Sequence, residues 1–244
     1  MIKGYFHVAL MYGGKLIAAE MHGRIIQSGL YDASDEINVV ILGPKEQAKE
    51  LQDYIFNHHS KYKVRYCSEN LKEYEWPTLK LIQDDAKSGD HLVWYVHTKG
   101  ASNCWPGVFP EYIQKNIHAW RGVMCHYMMN YKNEIIDELS KGPTEVIGVF
   151  HSNRVWNRST YEGGEDHTKN YFVGNFWWTT AAYIRKLQPL VPPFTDPRNN
   201  AEIWISTDTN TFKSLYQCED FDLYDFSNNR FPNGPLHGVL GSGI

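Results

Sequence analysis

Short apolar stretches of strand length alternate, over the first hundred residues, with segments whose apolar positions recur at helical spacing. The predicted order is strand 6–11, helix 16–28, strand 37–42, helix 45–58, strand 63–67, helix 76–87 and strand 92–96. Strands that alternate with helices at this interval are typical of a parallel sheet covered by helices. The pattern therefore predicts an α/β fold with a mostly parallel sheet.

The second half of the chain is less regular. A long segment, 110–139, has apolar residues at intervals of three and four, and Gly122 is a point at which this helix could divide. The predicted order continues with strand 146–150, polar loop 151–170, strand 171–179, helix 180–187, Pro-rich loop 190–200, a helical turn or strand at 201–207, and a strand within 212–226. No repeat or linker interrupts the chain, so we expect a single domain over 1–244.

Composition narrows the class of protein. A formal net charge of −4 argues against general nucleic-acid binding through bulk charge. The four cysteines lack the spacing of a zinc site or a disulfide framework. No apolar run approaches the 18 residues of a membrane helix. We therefore expect a cytoplasmic protein without a membrane span.

The strand predicted at 92–96 ends in an unusual group of side chains. His97, Thr98 and Lys99 follow the last apolar residue, and Gly100 then turns the backbone. Ligands of open α/β sheets bind at the carboxyl ends of the strands. An imidazole, a hydroxyl and an exposed ammonium at such a position suit a phosphate group. The alternative is an ordinary polar turn after a strand.

Several segments resemble a family of small GT-A glycosyltransferases found in bacteria and in large DNA viruses and phages. In chain order they are Ser28-Gly-Leu30, Ile37-Asn-Val-Val-Ile-Leu-Gly43, Tyr95-Val-His-Thr-Lys-Gly100, Gly174-Asn-Phe-Trp-Trp178, Tyr183-Ile-Arg-Lys-Leu187 and Ala201-Glu-Ile-Trp-Ile205. The pair HTKG and GNFWW is the most specific part. The resemblance implies a GT-A-like (Rossmann-like) sheet, with a donor-binding half at about 1–105 and an acceptor half at about 106–244.

The resemblance also implies an activity: transfer of a sugar, of the hexosyl class, from a nucleotide-sugar to a glycan or another acceptor. Donor contacts are expected from Tyr12, Gly13, Thr98 and Gly100. In most GT-A enzymes the strand matching 92–96 ends in a DXD motif that holds Mn²⁺ or Mg²⁺. This chain departs from that pattern, and His97 and Lys99 could neutralise the leaving diphosphate without a metal.

An inverting sugar transfer needs a carboxylate that takes the proton of the acceptor. Glu202 lies after the Pro-rich loop, at the place that matches the base of GT-A enzymes. Glu165 and Asp166 in the polar loop are competing candidates, and a plain surface glutamate is the structural alternative. A retaining transfer would not need this base.

The remaining candidates concern sugar and metal. Asn175, Trp177 and Trp178 are expected to bind sugar or acceptor, because strand alternation puts one indole in the core and leaves the other free to stack. The candidates for metal ligands are Asp208 and His237. A divalent metal is not supported by the motif itself, because no DXD motif stands at the usual strand end.

Two other functions stay open. One is a non-catalytic module of the same fold that binds a sugar or nucleotide. The other is a phage glycosyltransferase that modifies DNA bases in the host cytoplasm, with nucleic acid only as the acceptor. An NAD-type dehydrogenase is disfavoured, because no GxGxxG follows the first strand.

Overall fold

The computed structural model describes residues 1–104, 107, 110–152, 155–156, 167–168, 171–190, 198–207 and 211–216. Its strands are β1 (Ile2–Ala9), β2 (Glu36–Leu42), β3 (Tyr62–Ser68), β4 (Leu92–His97), β5 (Val146–Gly148), β6 (His151–Ser152), β7 (Val155–Trp156), β8 (His167–Thr168), β9 (Tyr171–Phe172), β10 (Trp177–Thr180) and β11 (Phe212–Ser214).

Seven of these strands form one sheet, in the order β11-β5-β10-β4-β1-β2-β3. Strands β1 to β4 are mutually parallel, and β11 is parallel to β5. Strand β10 runs antiparallel to both of its neighbours, β4 and β5. The short strands β6 and β9 pair separately, as do β7 and β8. The mostly parallel α/β sheet predicted from the sequence is confirmed.

Helices connect the strands. They are α1 (Gly14–Gln27), α2 (Leu30–Ala33), α3 (Lys45–Tyr54), α4 (Trp76–Asp85), α5 (Glu111–Cys125), α6 (Lys132–Lys141), α7 (Ala181–Ile184) and α8 (Arg198–Trp204). The long helical segment divides at a π-helical turn, His126–Asn130, and not at Gly122, which is buried within α5. None of the helices in the described ranges is long and apolar enough to cross a membrane.

Each face of the sheet is covered by its own apolar layer. Phe6 on β1 packs into a layer with residues of α1, α3, α5 and α6. Its neighbour Tyr5 packs into the opposite layer, with residues of α4, α7 and α8. Burial on both faces explains why the central strands read as continuous apolar runs.

The strand predicted at 171–179 is two strands, β9 and β10, separated by a turn. Gly174 and Asn175 both have positive φ in this turn, 99° and 57°. A positive φ at a residue other than glycine is strained and occurs often at functional sites. The turn lies beside the end of β4, because Trp177 pairs with Tyr95 across the sheet.

Candidate functional site

A cavity of about 190 Å³ lies at the carboxyl ends of β1 and β4. The end of β1 contributes His7, and the segment after β4 contributes His97 and Lys99. The connection between β3 and α4 closes the side with Tyr74 and Glu75. This is the edge of the sheet at which the sequence predicts a ligand.

Glu75 is the centre of a buried polar network behind this cavity. Its carboxylate accepts hydrogen bonds from the Tyr95 hydroxyl at 2.7 Å and the Asn175 amide at 2.5 Å, and lies 3.1 Å from Nδ1 of His97. Nε2 of His97 lies 2.8 Å from the carbonyl oxygen of Gly174. Both partners of the ring, the carboxylate beside Nδ1 and the carbonyl oxygen beside Nε2, are acceptors, so the ring is held from both sides.

The charge of Glu75 is stabilised from within the protein. Burial acts to raise the pKa of Glu75, but the charge and hydrogen bond of His97, the nearby His7 and the Tyr95 hydroxyl outweigh burial and hold that pKa well below its usual range. The network therefore joins the end of β4 to the turn before β10. Because His97 contacts both Glu75 and the turn before β10, its main role is to hold these two parts of the site together.

The sequence analysis did not identify Glu75. The available signal was a carboxylate directly before Trp76-Pro77, where α4 begins. A proline in the first turn marks a helix start, but nothing local shows that this glutamate is buried. Its partners come from β4 and from the turn before β10, which only the folded chain brings together.

Lys99 and Glu202 meet at the same edge of the sheet. The Lys99 ammonium lies 3.7 Å from Oε1 of Glu202, and their side chains are 10% and 14% exposed. The ammonium also lies 4.3 Å from the centroid of the Trp120 ring, a cation–π contact. Arg121 donates to the carbonyl oxygen of Lys99 at 2.8 Å and fixes its backbone. The ammonium is thus enclosed, which corrects the expectation of an exposed group at the strand end.

Thr98 and Gly100 shape the crevice through the backbone. The Thr98 hydroxyl accepts a hydrogen bond from the backbone N–H of Ala9 at 2.9 Å, and the backbone N–H of Thr98 donates to the carbonyl of His7 at 3.0 Å. These bonds tie the end of β4 to the end of β1. Gly100 has a φ of 92°, and a Cβ there would lie 2.4 Å from Cγ2 of Ile117. Glycine is therefore required where the chain passes α5.

Tyr12 and Gly13 connect β1 to α1. Tyr12 has a positive φ of 37° and is 52% exposed. A Cβ on Gly13 would lie 2.7 Å from Cβ of Cys104, so the two connections after β1 and β4 pack closely together. The start of α1 therefore lies against the segment that follows β4, and donor contacts from Tyr12 and Gly13 stay a prediction.

Asn175, Trp177 and Trp178 are buried, with exposures of 0%, 0% and 1%. The Trp177 indole donates to the side-chain oxygen of Asn175, and the Trp178 indole donates to the carbonyl of Met128, each at 2.9 Å. Neither indole presents a face to solvent, so the expectation that one would stack on a sugar is wrong. Apolar layers cover both faces of β10, where strand alternation predicted one solvent face.

The side chains at the end of β4 decide whether a metal ion could bind there. In the described part of the chain, no group of three or more His, Cys, Asp or Glu could hold a metal ion. The Lys99 ammonium at this strand end is positively charged and can only donate, whereas a divalent cation needs oxygen ligands, so these side chains do not fit such an ion. Asp208, His237, Glu165 and Asp166 lie outside the described residues.

Comparison with known proteins gives a likeness of fold alone. No protein-family model and no curated protein matches this chain. Similar solved structures include a candidate glucose-1-phosphate thymidylyltransferase from Bacillus anthracis in complex with sucrose (TM-score 0.44, 10% identity, 89% of this chain and 87% of that chain). HddC from Yersinia pseudotuberculosis has a TM-score of 0.41, with 12% identity over 89% and 91% of the two chains. A nucleotidyl transferase from Methanothermobacter thermautotroptrophicus has a TM-score of 0.40, with 11% identity over 90% and 88%. At these TM-scores the likeness supports no conclusion about activity, which depends on the side chains.

Proposed function

We propose that the protein is a glycosyltransferase that uses a nucleotide-sugar donor. The observation that supports this most is the meeting of Lys99 and Glu202, which come from opposite halves of the chain and lie 3.7 Å apart. Each was singled out from the sequence for a different part of the same reaction. An ammonium and a carboxylate at the carboxyl edge of the sheet, beside a cavity, are the charges that this reaction needs.

The chemistry follows from those two groups. An acceptor hydroxyl oxygen attacks the anomeric carbon of the donor sugar, and its proton passes to the Glu202 carboxylate. The bond between the anomeric carbon and the phosphate oxygen breaks, and its electron pair leaves with the nucleoside phosphate. The Lys99 ammonium offsets the negative charge that develops on this leaving group. The scheme inverts the anomeric configuration and needs no metal step.

The donor side is assigned to the connection between β1 and α1. Helix α1 begins at Gly14 without a side-chain cap at Gly13; the Gly14 N–H donates to the Met11 carbonyl, which leaves the N–H groups of Lys15 and Leu16 without intrahelical partners. Such a helix start favours phosphate oxygens. The exposed Tyr12 ring stands beside it and offers an apolar face to a nucleoside.

A non-catalytic binding module is the second candidate. The specific observation in its favour is that the Lys99 ammonium is enclosed by Glu202 and Trp120 instead of facing open solvent. A ligand could be held at the same edge of the sheet without any bond being broken.

One experiment separates the two candidates. Purified protein is incubated with UDP-, GDP-, CMP- and dTDP-sugars, and both the thermal shift and the release of free nucleotide are measured. The transferase predicts release by the wild type that is lost in Glu202→Gln and kept in Glu134→Gln, a matched change at an exposed glutamate of α6. A thermal shift without nucleotide release would indicate the binding module, and neither signal would refute both.

A further inference from the structure

Tyr74 has a strained backbone beside the cavity. Its φ of 49° and ψ of −137° lie in a region that glycine adopts readily and that residues with a side chain rarely adopt. It follows a 3₁₀ turn, Leu71–Glu73, and precedes the buried Glu75, after which α4 begins. Glycine would adopt this conformation without strain, so the presence of a tyrosine here requires an explanation.

The protein itself gives the Tyr74 ring little in return. The residue is 39% exposed, and in the described part of the chain its side chain has no hydrogen bond, ion pair or ring contact. Two other residues with positive φ differ in this respect. Phe150 is 4% exposed and its ring contacts that of Tyr216, while the buried Asn175 donates to Glu75. Among the described residues, no contact of this kind offsets the strain at Tyr74.

The cavity that Tyr74 lines is apolar on one side. Met11, Leu42 and Leu71 line it from segments at the ends of β1, β2 and β3. A hexose carries hydroxyl groups around its whole ring and would leave several of them unpaired against these side chains. A nucleobase instead has two apolar faces and stacks on aromatic side chains. This side of the cavity therefore suits a base.

Cationic groups line the same cavity. Lys99 lines it from the end of β4, and Lys72 lines it from the 3₁₀ turn before Tyr74. The Lys72 residue is exposed, and within the described ranges its ammonium has no ion pair or hydrogen bond. The Glu75 carboxylate is already bound by its own network. Two ammonium groups favour a phosphate, in agreement with the role of Lys99 at the leaving group.

We propose that the ring of Tyr74 stacks on the base of a nucleoside phosphate that binds in this cavity. The strained backbone then has a purpose, since it holds the ring at the cavity wall while the next residue, Glu75, enters the buried network. Met11 directly precedes Tyr12, so the β1–α1 connection to which the donor is assigned lines the same cavity. The proposal rests on the proposed function, of which it names a contact to the nucleotide.

The test separates the ring from the backbone. Tyr74→Phe keeps the ring and the strain, Tyr74→Ala removes the ring and keeps the strain, and Tyr74→Gly removes both. Tyr131→Ala is the matched control, because Tyr131 is also 39% exposed but precedes α6 and does not line the cavity. Binding of UDP, GDP, CDP, dTDP and glucose is measured by calorimetry, and thermal stability is measured without ligand.

For the nucleotide that the wild type binds most tightly, we expect an affinity within about twofold of the wild type in Tyr74→Phe and Tyr131→Ala, and at least about fivefold weaker in Tyr74→Ala and Tyr74→Gly, the lower limit for stacking of a base on an aromatic ring. Glucose binding should not change. Tyr74→Gly should melt about 2–4 °C above Tyr74→Ala, because glycine removes the strain.

Wild-type nucleotide affinity in both Tyr74→Ala and Tyr74→Gly would overturn the proposal and assign the strain to the placement of Glu75 alone. An equal loss in Tyr74→Phe, or a loss of glucose binding alone, would also overturn it. If the wild type binds none of the four nucleotides, the proposal and the transfer are both refuted. Nucleotide binding that depends on Tyr74, in a protein that releases no nucleotide from any nucleotide-sugar, would support the stacking contact and refute the proposed transfer.

Discussion

Replacing Glu75 by glutamine tests the buried network that holds the site together. The substitution keeps the size of the side chain but removes its charge. It also puts an amide NH₂ among three groups that all donate: the His97 ring, the Tyr95 hydroxyl and the Asn175 amide. At least one of them then faces another donor inside the protein.

The magnitude follows from burial. Glu75 is 4% exposed and His97 is 5% exposed, so little solvent reaches the broken pair. Removing one partner of a buried ion pair costs about 3–5 kcal/mol, which is a large part of the 5–15 kcal/mol that is typical of a domain. We expect Glu75→Gln to lower the free energy of unfolding by about 3–5 kcal/mol at pH 7. Glu73→Gln is the matched control in the same connection, where Glu73 accepts from Tyr66 and Ser68, and it should cost less than about 1 kcal/mol.

Urea denaturation followed by circular dichroism measures both variants. The pKa of Glu75 is depressed in the folded state, so its contribution is complete above the ordinary pKa of 4.5 and is lost as the pH falls below that value. The difference between wild type and Glu75→Gln should therefore narrow below about pH 4.5. A difference under about 0.5 kcal/mol at pH 7, or one that does not change with acid, would refute the network as described.

Three further outcomes are expected from other parts of the protein. Lys99→Met keeps the apolar stem against Trp120 but removes the ammonium, so nucleotide release should fall at least about 100-fold; the melting temperature should fall as well, because the nearly buried Glu202 carboxylate loses its partner, and wild-type turnover would contradict the role of Lys99. Chelation by EDTA should lower activity by less than about tenfold, a barrier change of roughly 1.4 kcal/mol, and loss of activity that Mn²⁺ restores would show a metal. Burial, and then the charge of His59, lower the pKa of His22 from 6.5 to about 4. The free energy of unfolding should therefore decrease as the pH falls from 6.5 to 4, because the unfolded chain binds the proton more tightly. A His22→Phe variant with the pH dependence of the wild type would contradict the assignment of this effect to His22.

Much of the fold follows from local patterning. The strand predicted at 37–42 is β2 at Glu36–Leu42, and the strand predicted at 92–96 is β4 at Leu92–His97. Apolar runs of this length, bounded by turns, are specified by residues that are neighbours in sequence. The division of the long helix was misplaced, because the π-helical turn at His126–Asn130 contains no glycine or proline to mark it.

The site was predicted in part. Lys99 and Glu202 were identified from a strand end and from a family resemblance, and the structure brings them together. Their mutual contact could not be predicted, since it depends on how α8 packs against the edge of the sheet. The same limit applies to Trp177, whose burial depends on the layer formed by α4 and α7. Pattern assigns a residue to an element, whereas packing decides whether its side chain meets solvent, an ion or another ring.

The most direct test of the central claim is the kinetic effect of Glu202→Gln on sugar transfer from the best nucleotide-sugar of the donor screen. The amide keeps the size of the carboxylate and cannot take the acceptor proton, and a positioned base typically contributes about 10²–10⁴-fold. We predict that kcat falls by this factor, that donor affinity stays within about twofold, and that the wild-type product has inverted anomeric configuration. Wild-type kcat in Glu202→Gln, or a product with retained configuration, would contradict the assignment of Glu202 as the base.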